Sequence, residues 1–180
     1  MKNKICYVVT VPVTIRAFFI PQLKYLSKHG YDVTVICSDD KKIEAELGDL
    51  IRYIPVDIPR GISIGGSIRA IKELKKIFVR EKFDLIQYST PNAALYASIA
   101  AKRAGCEIRN YHLMGLRYLG AKSIGRFILK EIEQIACYNS TSIECVSKSN
   151  LNLAINEKLF KSEKATVVWN GSSGGVDLKR

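Results

Sequence analysis

The sequence predicts an α/β fold with a doubly wound, mostly parallel sheet in a three-layer αβα arrangement. Short apolar runs rich in β-branched residues recur along the 180-residue chain, and such runs are typical of strands covered on both faces. Amphipathic stretches of helical length separate them. This alternation gives right-handed crossovers, and ligands are then expected beyond the carboxyl ends of the strands.

Six strands and five helices are predicted in alternation. The strands are expected at residues 5–11, 32–37, 85–88, 108–113, 142–146 and 165–169, and the helices at 15–29, 67–82, 92–103, 122–138 and 147–159. Gly30 and Gly105 follow two of the helices, as glycines often do at helix ends. Pro21 falls inside the first helix and predicts a kink there, because proline has no N–H to donate.

Length, charge and cysteine content limit the class of protein. The chain is long enough for one domain and too short for two full-sized ones. Its formal net charge of +11 favours a partner that carries phosphates or an anionic membrane surface. Five cysteines without a CxxC pair indicate reduced core residues in a cytoplasmic protein. No stretch approaches the roughly 18 apolar residues of a membrane-spanning helix.

The loop after the first strand has no phosphate-binding glycines. Neither GxGxxG nor GxxxxGK[ST] occurs, which disfavours nicotinamide, flavin and P-loop enzymes. No histidine, cysteine or carboxylate pair has metal-ligand spacing, so no metal site is predicted. Instead Thr10, Thr14 and Arg16 offer two hydroxyls and a guanidinium that suit a sugar hydroxyl or a phosphate. Alternatively, Thr14 caps the helix and Arg16 is solvated.

Two further strand ends carry polar groups. Ser89, Thr90 and Asn92 follow the strand at 85–88, in a loop expected beside the first one, where the sheet reverses its winding direction. They line an acceptor pocket or cap the next helix. His112 ends the strand at 108–113 and is either a catalyst or a satisfied structural residue. It has the same strand parity as Met114, so the two side chains are expected on one face.

The helix at 122–138 is basic on one side. Lys122, Arg126 and Lys130 recur at four-residue spacing, and apolar residues occupy the other side. The apolar residues are Ile124, Phe127, Ile128 and Ile132. The pattern fits a helix on an anionic bilayer or an ordinary solvated face over a buried one.

Five ordered motifs resemble the N-terminal half of family-4 glycosyltransferases, in the branch that builds bacterial capsules and other surface polysaccharides. They are KHGYDVTVI at 28–36, FDLIQ at 83–87, AAKRAG at 100–105, VSKS at 146–149 and NGSSGGVD at 170–177. Each motif is weak alone, but their order and spacing cover nearly the whole chain. The resemblance implies a GT-B architecture, in which two Rossmann-like domains face each other across a cleft.

By this resemblance, residues 1–169 are an acceptor-binding domain, and 170–180 begin the hinge to a missing C-terminal donor domain. The whole protein would transfer a sugar from a UDP- or GDP-sugar, with retention and without a metal or other cofactor. The acceptor would be a polyprenyl-diphosphate-linked or other glycan, and nucleic acid is not an expected partner. The segment alone would be inactive, and the protein would be cytoplasmic, peripheral at the inner membrane.

The resemblance also implies roles for particular residues. Nine side chains or backbone positions would orient the acceptor, and four would approach the donor side of the cleft. The acceptor set is Thr10, Thr14, Arg16, Ser89, Thr90, Asn92, Met114, Gly115 and Arg117, and the hinge set is Asn170, Gly171, Ser172 and Ser173. Many relatives carry a histidine before the glycine where this chain has Met114. His112 is therefore the candidate catalytic substitute.

Two other interpretations remain open at this point. Nucleotide-sugar 2-epimerases share the two-domain architecture, so the chain is alternatively half of an epimerase. A non-catalytic Rossmann-like module that binds a polyanion would also explain the positive charge.

Overall fold

The computed structural model describes residues 3–61 and 63–172, and in them seven parallel strands form one sheet. The strands are β1 (Lys4–Val8), β2 (Asp32–Cys37), β3 (Ile51–Pro55), β4 (Leu85–Tyr88), β5 (Ile108–Leu113), β6 (Ser142–Cys145) and β7 (Ala165–Thr166). Their order across the sheet is β3-β2-β1-β4-β5-β6-β7. Because β1 lies between β2 and β4, the winding direction reverses at the β1–β4 pair. The predicted doubly wound, parallel αβα fold is confirmed.

Helical segments connect the strands. They are α1 (Pro12–Thr14), a π-helical segment (Ile15–Phe19), α2 (Ile20–Lys28), α3 (Ile43–Leu47), α4 (Ile64–Glu81), α5 (Pro91–Arg103), α6 (Ser123–Asn139) and α7 (Lys148–Asn156), with 3₁₀ turns at Arg117–Gly120 and Ser162–Lys164. Gly30 and Gly105 both have positive φ, a backbone conformation that glycine adopts without the steric cost of a Cβ.

The first helix changes type ahead of its proline. The π-helical segment runs directly into α2, and Pro21 lies in the first turn of α2. Pro21 donates no backbone hydrogen bond, and the change of helix type directly precedes it. The predicted kink stays a prediction. Short π-helical turns inside helices frequently mark functional sites.

Two apolar clusters cover the two faces of the sheet. One lies under α4, α5, α6 and α7, and the other under the π-helical segment, α2 and α3. The buried face of α5 is built largely from alanines, whose small side chains allow α4 and α6 to pack closely on either side. The five cysteines Cys6, Cys37, Cys106, Cys137 and Cys145 are free and buried. Burial raises the pKa of all five thiols, consistent with reduced core residues.

Several predicted boundaries differ from the structure, and two elements were not predicted. β3 is an edge strand whose apolar pattern Arg52 and Pro55 interrupt, and α3 is only five residues long. β1 ends at Val8 and β7 at Thr166, both earlier than predicted. α4 begins at Ile64 because the Ser63 hydroxyl accepts a hydrogen bond from the Gly66 amide at 3.2 Å.

The outward side of α6 differs from the solvated basic face that was one alternative read from its sequence, whereas the membrane-surface alternative stays a prediction. Arg126 and Lys130 approach the carboxylate of Glu157, just beyond α7, at 3.3 and 2.6 Å. In contrast, Ile124 is 77% exposed and Phe127 is 63% exposed. The first turns of α6 therefore present apolar side chains to the outside, while two of the three predicted surface cations are ion-paired.

A buried carboxyl lies inside the helical layer. Glu133 on α6 is 1% exposed and accepts a hydrogen bond from the hydroxyl of Tyr111 on β5. Burial raises the pKa of Glu133 to about 7, against the lowering effect of the tyrosine hydroxyl. The ordinary pKa of a glutamate side chain is 4.5, so the folded state holds this proton more tightly than the unfolded chain does.

Glu133→Gln is expected to remove a pH-dependent loss of stability. When the pKa of a carboxyl is higher in the folded state than in the unfolded chain, its protonation stabilises the fold. This stabilisation is fully present below the unfolded pKa and is lost as pH rises through the folded pKa. Between pH 5 and pH 8 the free energy of unfolding of the wild type should therefore fall by about 2–3 kcal/mol more than that of the variant. Urea denaturation at both pH values measures this difference.

Glu131→Gln is the matched control, since it removes an exposed carboxyl of the same helix. Stability curves for wild type and Glu133→Gln that run parallel across this pH range would contradict the assignment of the raised pKa to Glu133.

Candidate functional site

The loops after β1 and β4 are joined by two threonines. The hydroxyl oxygens of Thr10 and Thr90 lie 2.7 Å apart, and the Thr10 amide donates to the Thr90 hydroxyl at 3.2 Å. Beyond this contact the two loops lead to helices on opposite faces of the sheet. The loop placement predicted from the sequence is confirmed, and a crevice opens where the loops diverge.

Thr90 has an unusual backbone conformation at this point. Its φ is +70°, which is uncommon for a threonine and disfavoured because its side chain is β-branched. The Thr90 hydroxyl does not cap α5, although capping was one interpretation of the sequence; it bonds to Thr10 instead. Backbone strain of this kind clusters at binding and catalytic sites.

A cavity of about 410 Å³ opens beside these threonines, and we call it the switch-point cavity. Five of the predicted acceptor residues line it: Thr14, Thr90, Met114, Gly115 and Arg117. They come from the loops and helix starts that follow β1, β4 and β5, which meet at the carboxyl edge of the sheet. Thr14 does not cap its helix either, since Val11 holds the cap position.

Four residues that the sequence did not single out complete the lining. They are Phe18, Pro91, Tyr111 and Leu116. Phe18 lies in the π-helical segment, which the regular 3.6-residue period does not describe. Their side chains add apolar and aromatic surface beside the two threonine hydroxyls.

Three other predicted residues lie outside the cavity lining. Thr10 is buried beneath it, in contact with Thr90. Ser89 is also buried, and its amide donates to the carbonyl of Val8 at 3.0 Å. Asn92 donates from Nδ2 to the carbonyl of Pro59 at 2.7 Å and fastens the segment between β3 and α4.

Arg16 is turned away from the cavity. Its guanidinium binds both carboxylate oxygens of Asp40, at 2.9 and 3.1 Å, and Glu46 at 2.6 Å. These hydrogen bonds lower the pKa of Asp40 to about 2. Arg16 therefore ties the first helix to the β2–α3 region through ion pairs, and it does not line the cavity.

His112 is buried and also lies outside the cavity lining. Its ring packs edge-on against Phe19 with centroids 5.6 Å apart, and Nδ1 lies 3.4 Å from the Glu144 carboxylate. The imidazole lowers the pKa of Glu144. Met114 packs against the same apolar cluster as Phe19, so the predicted shared face is observed. The catalytic role of His112 stays a prediction.

The start of the predicted hinge is an anchored turn. Gly171 has a φ of +84°, and a methyl group in place of its hydrogen would collide with the carbonyl of Val146. The Ser172 amide donates to that same carbonyl at 2.6 Å. Gly171 and Ser172 thus contact the junction of β6 and α7, on the carboxyl edge of the sheet, and Asn170 directly before them is exposed. Ser173 lies outside the described residues.

Two other cavities open at the opposite edge of the sheet. Their volumes are about 450 and 520 Å³, and they lie near the amino ends of the strands. Ligands of doubly wound sheets bind at the carboxyl ends instead. In residues 3–61 and 63–172 no cluster of three His, Cys, Asp or Glu side chains is arranged for a metal ion, and no helix there has the length and hydropathy needed to cross a membrane.

Comparison with known sequences identifies relatives of this chain. The family described as "Glycosyl transferase 4-like" matches residues 4–147. The whole chain aligns at 32% identity with a Staphylococcus aureus protein named capsular polysaccharide biosynthesis glycosyltransferase CapM, and the alignment covers 47% of that protein. It also aligns at 24% identity with the Escherichia coli UDP-Gal:alpha-D-GlcNAc-diphosphoundecaprenol alpha-1,3-galactosyltransferase. This alignment covers 99% of the chain and 46% of that enzyme. The chain thus spans about half the length of these relatives.

Solved structures share the fold at low sequence identity. UDP-GlcNAc 2-epimerase from Methanocaldococcus jannaschii superposes with a TM-score of 0.68 at 19% identity, over 93% of this chain and 45% of that one. Anabaena Alr3699/HepE, in complex with UDP and glucose, superposes with a TM-score of 0.65 at 15% identity, over 94% of this chain and 45% of that one. This chain therefore corresponds in fold to half of each of these proteins.

The contact between Thr10 and Thr90 is expected to act as one energetic unit. Thr10→Val and Thr90→Val each remove one hydroxyl, so the second substitution should cost less when the first is already present. The coupling energy should be about 1 kcal/mol, the usual net value of a hydrogen bond. Urea denaturation of the two single variants and the double variant measures it. Strictly additive effects would contradict this coupling.

Proposed function

Because the chain belongs to the glycosyl transferase 4-like family, we propose that it is the acceptor-binding domain of a glycosyltransferase that builds a bacterial surface polysaccharide. The observation that supports the acceptor site most directly is the switch-point cavity. Loops from β1, β4 and β5 bring two hydroxyls, one cation and apolar surface together at the edge where this fold binds ligands.

The cavity lining suits a sugar held next to a phosphate. Thr14 and Thr90 offer hydroxyls to sugar hydroxyls, and Phe18 offers an aromatic surface for the apolar face of a pyranose ring. Arg117 is exposed at the same cavity and suits a phosphate, since a guanidinium can donate two parallel hydrogen bonds. The role of the domain is to hold the acceptor hydroxyl in place, so that proximity and orientation supply much of the rate.

The donor in this proposal is a nucleotide-sugar, either a UDP- or a GDP-sugar, bound by a second domain that follows the anchored turn at Gly171. The HepE structure was determined with UDP and glucose, and the relatives are about twice as long as this chain. The transfer would retain the anomeric configuration and require no metal. The acceptor would be linked to a polyprenyl diphosphate, as the name of the E. coli relative states for that enzyme.

The glycosyltransferase interpretation is preferred to both alternatives. The epimerase resemblance is at 19% identity and concerns the fold alone, whereas the family and the two relatives above are glycosyltransferases by name. The positive charge, which suggested a polyanion-binding module, is equally suited to a diphosphate acceptor and an anionic membrane.

We further propose that the protein lies at the cytoplasmic face of the inner membrane as a peripheral protein. The exposed Ile124 and Phe127 on α6 are the proposed points of contact, with Lys122 exposed beside them. Apolar side chains that enter the headgroup region next to a cation are the usual features of an interfacial helix. Arg126 and Lys130 contribute less in this proposal because Glu157 neutralises part of their charge.

Arg117→Gln in the full-length protein is expected to lower kcat/KM for a polyprenyl-diphosphate-linked acceptor by a factor of ten or more. A hydrogen bond to a charged group is worth about 1.5–3 kcal/mol, and 1.4 kcal/mol is a factor of ten. The KM for the sugar nucleotide should change little. The control is Arg103→Gln, an exposed arginine at the far end of α5. Equal effects of the two substitutions would refute the acceptor role of the cavity.

The double variant Ile124→Ser with Phe127→Ser is expected to bind vesicles containing phosphatidylglycerol at least tenfold more weakly than wild type. Each buried side chain of this size contributes about 1.5–3 kcal/mol. A vesicle flotation assay measures the bound fraction. Val79→Ser with Tyr138→Ser removes two exposed apolar side chains near the other edge of the sheet and is the control. A loss no larger than that of the control would exclude α6 as the contact surface.

A further inference from the structure

A second cavity lies in the helical layer, and we call it the interhelical groove. Its volume is about 270 Å³. The first turns of α4, α5 and α6 form its walls, and its apolar lining includes Leu95, Ile128, Leu129 and Ile132.

The groove and the proposed acceptor site share one lining residue. Arg117 lines both the interhelical groove and the switch-point cavity. The first turn of α5 separates the two spaces, since Pro91 lines the cavity and Asn92 lines the groove. A ligand that extends from one space into the other would therefore pass the guanidinium of Arg117.

The groove also has a second cation at its entrance. Arg60 lines it together with Arg117, and both residues are exposed. Within the part of the chain that the structure describes, neither guanidinium forms an ion pair with a carboxylate, whereas Arg16 and Arg126 do. An apolar groove with two available guanidinium groups is complementary to a molecule that joins a hydrocarbon chain to an anionic group.

We propose that the interhelical groove holds the first isoprene units of a polyprenyl-diphosphate-linked acceptor. The diphosphate then lies at Arg117 and Arg60, and the sugar occupies the switch-point cavity. This inference rests on the proposed function, and it adds a site for the lipid part of the substrate.

The size and position of the groove are consistent with this occupant. Its volume of about 270 Å³ lies just below the range for pockets that hold a whole ligand, about 300–1,000 Å³, so only the part of the chain next to the diphosphate fits. The exposed Ile124 and Phe127 lie on the same first turns of α6 that wall the groove. The remainder of a long polyprenyl chain would thus leave the groove beside the proposed membrane contact.

Calorimetric titration of the full-length protein with two probes tests the proposal. Farnesyl diphosphate carries an isoprenoid chain, and inorganic diphosphate does not. Wild type should bind farnesyl diphosphate at least tenfold more tightly than inorganic diphosphate, because the chain is removed from water. Ile128→Gln, at a partly exposed position of the groove, should abolish this preference by weakening farnesyl diphosphate binding, because it replaces apolar lining without adding a charge beside Arg60 and Arg117. Ile135→Gln, exposed on the same helix outside the groove, should leave both affinities unchanged.

Three results would overturn the proposal. Equal affinity of wild type for the two probes would mean that the chain is not bound, although the acceptor site of the proposed function would still hold the diphosphate. Failure of both probes to bind would remove the diphosphate site and count against a lipid-linked acceptor altogether. If Ile128→Gln weakened vesicle binding but not farnesyl diphosphate binding, the groove would be a membrane contact and not a lipid-chain site.

Discussion

The pairing of β1 with β4 is the constraint on which the candidate site depends. Because these two strands are neighbours in the sheet but lead to helices on opposite faces, their loops must separate at the carboxyl edge. The contact between Thr10 and Thr90 holds the loops together at the last point before they diverge. The switch-point cavity lies just beyond it, and the strained backbone of Thr90 directs the chain into α5.

Much of the fold and part of the site follow from the sequence. Apolar, β-branched runs identify buried parallel strands, and in a parallel sheet every loop that follows a strand reaches the same edge. That reasoning is sufficient to bring Thr14, Thr90, Met114, Gly115 and Arg117 together, although they come from three separate loops. It uses only the strand ends and the usual strand order of a doubly wound sheet.

The sequence does not predict the direction in which a polar side chain points when its partner is distant along the chain. Arg16 is ion-paired with Asp40 and Glu46, which belong to a part of the chain where the sequence pattern is weak. His112 and Glu144 become neighbours only through the register of β5 with β6. The outward side of α6 likewise depends on Glu157, because that carboxylate draws two of the helix's cations towards α7.

The central claim is that an acceptor binds at the switch point of the sheet. Amide hydrogen exchange of the full-length protein, with and without a sugar linked to a short polyprenyl diphosphate, tests it most directly. Exchange should slow in residues 90–95 and 114–119. Each of these segments begins with residues that line the cavity and continues into the next turn of the chain. Protection confined to residues 104–108, at the cavity on the opposite edge, or no protection in either loop would contradict the account.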